Sequence, residues 1–291
     1  MFGYLLASGL TLGALYALAA VGLVIVVKAT SVVNLAQGEM FMFGGFFGFL
    51  FHVQLGLPYV PSLLMAVAAA FLMGGVVYHA AFRPLMKSGL VSVLLASIAI
   101  SFILKGVARA IWGGVGDYVP FPPMFSGPPV QLGGVIVLPQ QLVVLASSLA
   151  LLVGFASFFR FTDTGKWMQA MADNAKAATL VGIPIDRLQH LTFALSAGAA
   201  GAAAVLMAPL TQLYPDIGFG IFVKAFAGAA LGGLSSLPGA VLGGFLVGLI
   251  ESFVAGYVGS KYQDVSAFVV IMFALLFLPR GIMGGAAMRK I

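Results

Sequence analysis

Long apolar runs separated by short polar connections dominate this sequence. The nine runs are Tyr4–Val27, Met40–Leu57, Pro61–Phe82, Leu90–Trp112, Val137–Phe159, His190–Leu210, Phe219–Leu234, Pro238–Tyr257 and Val265–Leu278. A helix that crosses a bilayer needs about 20 mostly apolar residues, and continuous runs favour helices over the alternating strands of a barrel. The pattern predicts an all-α, polytopic integral membrane protein. We expect eight or nine transmembrane helices, because the two runs on either side of Ser235 are short.

Composition agrees with this fold class and argues against several kinds of site. The 291 residues are 62% hydrophobic and 8% charged, whereas a soluble domain is about half apolar and about a quarter charged. Cysteine is absent, which removes disulfides, thiol chemistry and cysteine-based metal sites. The three histidines are scattered, so we expect no metal, no cofactor and no catalytic residue on this chain. The net charge of +6 is not interleaved with aromatic residues as a nucleic-acid surface would be.

The distribution of lysine and arginine predicts the side of the membrane on which each connection lies. Bases mark one side at Lys28, Arg83, Lys87, Arg160, Lys166, Lys176, Arg187, Arg280, Arg289 and Lys290. The connections at residues 52–61, 113–134 and 209–218 contain none. Because bases concentrate in cytoplasmic loops, we expect the N-terminus outside and the C-terminus in the cytoplasm. The chain, 1–291, is then a single transmembrane domain whose longest cytoplasmic loop covers about residues 160–189.

Two apolar regions are interrupted by glycine, proline and polar residues, one in each half of the chain. They are Ser31–Gly45 and Gly232–Gly244. Paired interruptions of this kind indicate the substrate path of transporters built from repeats. Close helix packing accounts for most of the 38 glycines, but it explains the polar positions less well. The candidate pathway or gate residues are Asn34, Gln37, Gly38, Glu39, Ser235, Ser236 and Pro238.

Charged residues inside or beside apolar runs are expensive in a membrane and indicate function or pairing. Lys105 and Arg109 lie one turn apart near the predicted external end of their run, so we expect them to extend towards the interface. Lys224 and Glu251 are candidates for an ion pair. Glu39 is expected at the cytoplasmic start of its run, where it would line or gate the inner part of a pathway.

The cytoplasmic loop is polar and has helix signals of its own. Thr162 or Asp163 can cap a helix that begins near Thr164, and Gly182 followed by Pro184 is a stop signal. One or two short amphipathic helices are therefore expected. They form either a solvated connector or a surface whose small side chains, such as Ala177 and Ala178, suit docking into a partner's groove.

Four blocks of sequence carry a specific resemblance. In chain order they are VVNLAQGEMFMFGGF, TDTGKWMQAMADNAKAATLVGIPIDRLQHLTFALSAGAAGAAAVL, AFAGAALGGLSSLPGAVLGGFLVGLIES and YQDVSAFVVIMFALLFLPRGIMG. In this order they resemble characteristic blocks of the permease subunits of branched-chain amino-acid ABC importers. They span nearly the whole chain and are most similar to the shorter of the two permeases in such systems. The resemblance implies a multi-pass subunit of the bacterial inner membrane whose cytoplasmic coupling helix docks into an ATPase.

What the resemblance implies about partners agrees with the motifs that the chain lacks. Its only Gly-Lys pair, Gly165-Lys166, does not have P-loop spacing, so ATP and magnesium would be bound by two separate cytoplasmic ATP-binding subunits. A second homologous permease, or a second copy of this chain, and a periplasmic substrate-binding protein complete the expected assembly, surrounded by membrane lipid. The residues expected to dock on the ATPase are Asp173, Asn174, Ala177, Ala178, Leu180, Gly182 and Ile183.

Two departures from the family pattern affect these expectations. Lys176 stands where the docking motif of other ABC importers begins with glutamate, so an ion pair based on that glutamate is not implied here. Gln37 stands where the family often has histidine, and it keeps hydrogen bonding but not titration near neutral pH.

The sequence thus predicts a subunit that moves branched-chain or related apolar amino acids by alternating access. Three alternatives stay open. The same architecture could carry another small cargo, such as urea, an amide or an aromatic acid. The chain could instead be a proton-coupled secondary transporter that uses Glu39 and Glu251, or a membrane scaffold that transports nothing.

Overall fold

Twelve helices make up most of the part of the chain that the computed structural model describes, residues 1–86, 88–113, 118–125, 127–132 and 135–284. They are α1 Phe2–Thr30, α2 Gln37–Phe49, α3 Tyr59–Val77, α4 Arg83–Leu85, α5 Leu90–Trp112, α6 Pro139–Phe161, α7 Asp163–Asp173, α8 Ala175–Leu180, α9 Ile185–Thr211, α10 Ile217–Gly232, α11 Leu237–Tyr257 and α12 Gln263–Phe277. Wider π-helical turns follow α2 at Leu50–Gln54 and α3 at Tyr78–Phe82, and a 3-10 turn, Ser260–Tyr262, precedes α12.

Seven helical stretches in the described residues are long and apolar enough to cross a membrane, which confirms a polytopic, mostly helical protein. Each of the nine predicted runs overlaps a helix, but α2 and α10 are not among these seven stretches. The count of eight or nine crossings and the orientation of the termini therefore stay predictions. The all-α prediction needs one correction. The connection before α6 contains a small antiparallel hairpin, β1 Val130–Leu132 and β2 Val135–Val137, in which Val130 lies opposite Val137.

Helices α1 and α9 form the centre of the bundle, and α5, α6 and α12 lie at its edge. In the most apolar stretch of each helix, 83% of the residues of α1 and 89% of those of α9 are buried within the chain. In α5, α6 and α12 the buried share is 22% each. Small residues allow this close packing. A side chain at Gly248 of α11 would collide with the backbone of Gly13 in α1, and one at Gly44 of α2 would collide with Gly201 in α9. Without a hydrophobic driving force between helices in lipid, such backbone contacts supply much of the packing energy.

The connection between α1 and α2 returns into the bundle. Ser31 adopts a left-handed conformation, with φ 58°, and turns the chain back after α1 ends at Thr30. Gln37, the first residue of α2, then lies beside Gly22. Gly22 precedes the end of α1 by eight residues, which is about 12 Å of helix. Helix α2 thus begins inside the protein rather than at its surface.

The connection between α10 and α11 is completed by the end of the described chain. Gly233 has φ 114°, and Ser236 caps α11 by accepting a hydrogen bond from the Gly239 amide at 3.1 Å. The amides of Ile282 and Met283 donate to the carbonyls of Leu231 and Gly232 at 2.8 and 2.9 Å. These carbonyls belong to the last turn of α10, which has no partners for them within its own helix.

Candidate functional site

The start of α2 is tied to the two central helices by side-chain hydrogen bonds. The Gln37 amide nitrogen donates to the carbonyl oxygen of Ser196 in α9 at 3.2 Å. The Ser196 hydroxyl lies 2.7 Å from the Gly22 carbonyl and 2.9 Å from Gln37 Oε1, and it can donate to either. Gln37 and Ser196 are both buried. The polar cluster predicted from the sequence therefore contributes one junction between α1, α2 and α9.

Four charged side chains of alternating sign form a row beside this junction, which we call the charge ladder. Arg109 Nη2 is 2.7 Å from Asp216, Asp216 is 4.0 Å from Lys105 Nζ, and Lys105 Nζ is 3.3 Å from Glu39. The side chains of Arg109 and Asp216 are more than half exposed, Lys105 is 20% exposed and Glu39 only 2%. The ladder thus runs from the surface into the core and joins α5, α2 and the start of α10.

The charge ladder corrects two sequence-based predictions. Lys105 and Arg109 do not simply extend to the interface, because each has a carboxylate partner. Glu39 is not at the cytoplasmic start of a transmembrane run, because the reversal at Ser31 places it within the bundle. Trp112 stacks on Phe46 with ring centroids 4.8 Å apart and meets Phe43 edge-on at 5.9 Å, so α5 is held to α2 by two aromatic contacts and by the pair of Lys105 with Glu39.

The first turns of α2 and α10 meet at a pair of glycines. A side chain at Gly38 would collide with the carbonyl group of Gly218, and one at Gly218 would collide with that of Gly38. Sequence reasoning missed Asp216 and Gly218 because they lie in a connection without bases. The signal was nevertheless present, since Pro215-Asp216 before an apolar run is typical of a helix start.

The structure does not bring the two interrupted segments together. Gly38 contacts the first turn of α10, whereas Ser235 and Ser236 follow its end, so about 22 Å of helix separates them. In the described residues, no hydrogen bond or ion pair joins the two groups. Ser235 is exposed, and Pro238 lies at the start of α11.

A second charge cluster joins three helices near α12 and confirms one predicted pair. Lys224 Nζ is 2.6 Å from Glu251 Oε1, which also accepts a hydrogen bond from the Gln263 amide at 2.7 Å. Lys224 Nζ lies 3.0 Å from Asp264 as well. Glu251 is fully buried. The cluster therefore neutralises the buried carboxylate of α11 and links α10, α11 and α12.

The polar loop folds into two capped helices, as the sequence predicts. Thr162 Oγ1 accepts from the Gly165 amide at the start of α7, and Asn174 Oδ1 accepts from the Ala177 amide at the start of α8, both at 3.0 Å. Gly182, with φ 84°, ends this segment before Pro184. Met168 and Met171 are buried and fix α7 against the bundle.

The residues predicted to dock on a partner differ in exposure. Asp173, Asn174, Ala177, Leu180 and Gly182 are exposed, Ile183 is half-buried, and Ala178 is only 4% exposed. Ala178 is therefore a packing residue within this chain. Leu180 and Val181 are 88% and 77% exposed at the end of α8, so they form an uncovered apolar tip. Sequence reasoning did not include Val181, although its place beside Leu180 was a signal.

A polar clasp connects this segment to the end of the third apolar run. Arg83 makes two contacts with the Asp186 carboxylate, at 3.1 and 3.0 Å. The buried Tyr78 hydroxyl lies 3.0 Å from Asp186 Oδ1 and 3.1 Å from Gln189 Oε1. Asp186 stands in the first turn of α9, directly after the loop that follows α8. A displacement of α8 would thus reach both α9 and the chain around Arg83.

Comparison with known proteins identifies the family. The family model described as "Branched-chain amino acid transport system / permease component" matches residues 5–278. The chain belongs to this family. The permease is 32% identical to the high-affinity branched-chain amino acid transport system permease protein BraD of Pseudomonas aeruginosa, covering 98% of this chain and 97% of that protein. It is also 32% identical to the permease protein LivH of Escherichia coli K12, with 98% and 96% covered.

A solved structure shares the fold of the permease at low sequence identity. It is a chain of PsaBC from Streptococcus pneumoniae, solved in complex with Fab, with a TM-score of 0.51 and 13% identity over 95% of this chain and 92% of that one. Together with the seven long apolar helices found among the described residues, the family relationship makes the permease a multi-pass protein of the inner membrane.

Proposed function

We propose that this permease is the membrane-spanning subunit of an ATP-driven importer of branched-chain or related apolar amino acids. The observation that carries the proposal is the match of essentially the full chain, at 32% identity, to permease proteins of high-affinity branched-chain amino acid transport systems. An assembled importer would contain two cytoplasmic ATP-binding subunits that hold ATP and magnesium, a second permease and a periplasmic binding protein.

The exposed end of α8 is the proposed contact with an ATP-binding subunit. Its apolar tip, Leu180 and Val181, suits insertion into a groove on a partner, and Ala177 leaves room for close approach. The clasp between Arg83 and Asp186 would then pass the motion of α8 to the membrane helices. In this arrangement, the N-terminus lies outside, and α7 and α8 lie in the cytoplasm as the coupling segment of a single transmembrane domain.

The first turns of α2 and α10 are proposed as part of the gate on the cargo's path. Short helices that begin within a bundle are typical of transporter binding sites, and the charge ladder joins these starts to the peripheral helix α5. Asn34, Gln37, Gly38 and Glu39 belong to this gate. Ser235, Ser236 and Pro238 belong to the proposed inner end, beside α7.

A proton-coupled mechanism is disfavoured by the two carboxylates that it would use. Glu39 is paired with Lys105, and Glu251 is paired with Lys224. Each of these carboxylates is thus already engaged in a contact that holds two helices together.

The deciding experiment reconstitutes the permease with the two ATP-binding subunits, the second permease and the binding protein of the proposed importer. We expect uptake of radiolabelled leucine. This uptake should need both ATP and the binding protein, and excess isoleucine or valine should inhibit it. Uptake of urea or phenylalanine instead of leucine would support the same ATP-driven importer architecture but with a different cargo. Leucine uptake driven by a pH gradient without ATP would reject the proposal.

A further inference from the structure

The edge of the bundle contains an apolar groove between α6 and α11. Both helices pack against α1, and the space between them has a volume of about 630 Å³. Val153 of α6 and Leu242 of α11 line its sides, Val21 of α1 forms its floor, and Met283 lies at one edge. The groove follows α6 from Leu149 to Arg160, which is about 16 Å of helix.

The length and lining of the groove match a lipid chain. Its 16 Å equals about half of a 30 Å hydrocarbon core, which is the thickness of one leaflet. The lining is apolar except for Arg160 and Gln169. An extended acyl chain of a single leaflet therefore fits along the groove, with its headgroup beside Arg160.

The predicted cytoplasmic mouth of the groove carries positive charge. Arg160 lines the groove itself. Lys28 lines a smaller neighbouring cavity that shares Phe159, Gln169 and Leu237 with it. Neither base has a carboxylate within 4.0 Å among the described residues, whereas Lys105, Arg109 and Lys224 all do. Basic pockets between membrane helices on the cytoplasmic side bind anionic lipid headgroups.

From the apolar groove and the two cations at its mouth, we propose that the permease binds one anionic phospholipid of the cytoplasmic leaflet between α6 and α11. One acyl chain lies against Val153 and Leu242, and the phosphate contacts Arg160 and Lys28. The bound lipid fills a gap beside Gln169 of α7, whose amide donates to the Phe159 carbonyl at 2.8 Å. It would thereby brace the junction of α6 with the coupling segment.

The test is photolabelling of the full chain in vesicles of phosphatidylethanolamine. A small fraction of the lipid is phosphatidylglycerol with a photoreactive group in its acyl chain, and a phosphatidylcholine carrying the same group serves as the uncharged comparison. Peptides of α6 and α11 should be labelled by the first lipid and much less by the second. Arg160→Gln should lower this labelling about fivefold, and Lys261→Gln, which removes one charge from the 3-10 turn before α12, should not.

A groove-filling variant keeps the test independent of charge. Ala156 faces the groove and is exposed, so Ala156→Trp should remove labelling of α11 without disturbing the core. Equal labelling by both lipids, or labelling that survives both Arg160→Gln and Ala156→Trp, would overturn the proposal. If the second permease protects the groove from labelling in the assembled complex, the lipid proposal is overturned too, and the groove is then a contact surface for that subunit. None of these outcomes depends on uptake or on ATP hydrolysis.

Discussion

Three polar residues of one short stretch, Asn34, Gln37 and Glu39, acquire different roles from the helices around them. Asn34 Oδ1 accepts a hydrogen bond from the Ala36 amide at 3.0 Å and shapes the turn before α2. Gln37 bonds to α9, and Glu39 pairs with a lysine of α5. The stretch thus shapes the turn before α2 and fixes the start of α2 to α9 and α5.

Glu39→Gln is predicted to weaken both stability and transport. The change leaves Lys105 with only its longer, partly exposed contact to Asp216, and breaking a buried pair costs about 3 kcal/mol. Thermal unfolding in detergent and leucine uptake at matched expression measure the two effects. Asp216→Asn is the control, since it breaks a largely exposed pair that contributes less than about 1 kcal/mol. Equal effects of the two variants on stability and uptake would contradict the proposed role of Glu39.

Ala177→Arg is predicted to separate ATP hydrolysis from transport without affecting folding. Ala177 is exposed on α8, so a large charged side chain there meets a partner rather than this chain. We expect normal insertion and thermal stability, with uptake reduced at least tenfold and ATP hydrolysis no longer stimulated by cargo. Ala178→Arg is the matched comparison. It should destabilise the protein itself, because Ala178 is 4% exposed. Full uptake by Ala177→Arg would contradict the docking surface.

At the scale of elements, the clasp between Arg83 and Asp186 is predicted to serve coupling more than stability. Both side chains are about half exposed, and such pairs contribute less than about 1 kcal/mol. Asp186→Arg should therefore lower the temperature of thermal unfolding only slightly, because Gln189 still accepts from the buried Tyr78 hydroxyl, but it should lower the cargo moved per ATP. Adding Arg83→Asp restores opposite charges and should recover part of that ratio. A charge swap that recovers nothing would show that the pair does not transmit motion.

Local features of the elements could be predicted from the sequence, and contacts between distant elements could not. Thr162 as a cap and Gly182 as a stop follow from neighbours in the chain, and the Lys224–Glu251 pair follows from the cost of leaving either charge alone in lipid. Asp216 finds its partners only when α5 is aligned with it, and Asp186 only when α4 and the π-helical turn before it are aligned with the start of α9. Glu39 was assigned the wrong depth because the apolar run alone does not reveal the reversal at Ser31.

At the scale of the whole molecule, the orientation of the bundle is predicted to place α8 and the connection after α5 on opposite sides of the membrane. The chain contains no cysteine, so a single introduced cysteine is labelled by a thiol reagent without a contribution from native thiols. Tyr118→Cys, at an exposed position, should react with a membrane-impermeant maleimide in intact cells. Leu180→Cys should react only after the membrane is opened. The reverse pattern would invert the proposed topology.

The contact of the last described residues with α10 has a consequence for how the protein is made. Until Ile282 and Met283 arrive, the carbonyls of Leu231 and Gly232 lack these partners, and an unsatisfied buried backbone group costs about 1–3 kcal/mol. The connection between α10 and α11 therefore reaches its final form only after the segment that follows α12 has been synthesised. Assembly of these two helices is thus delayed until the chain beyond α12 folds back onto them, and a nascent chain stalled before Ile282 would leave the connection between them open.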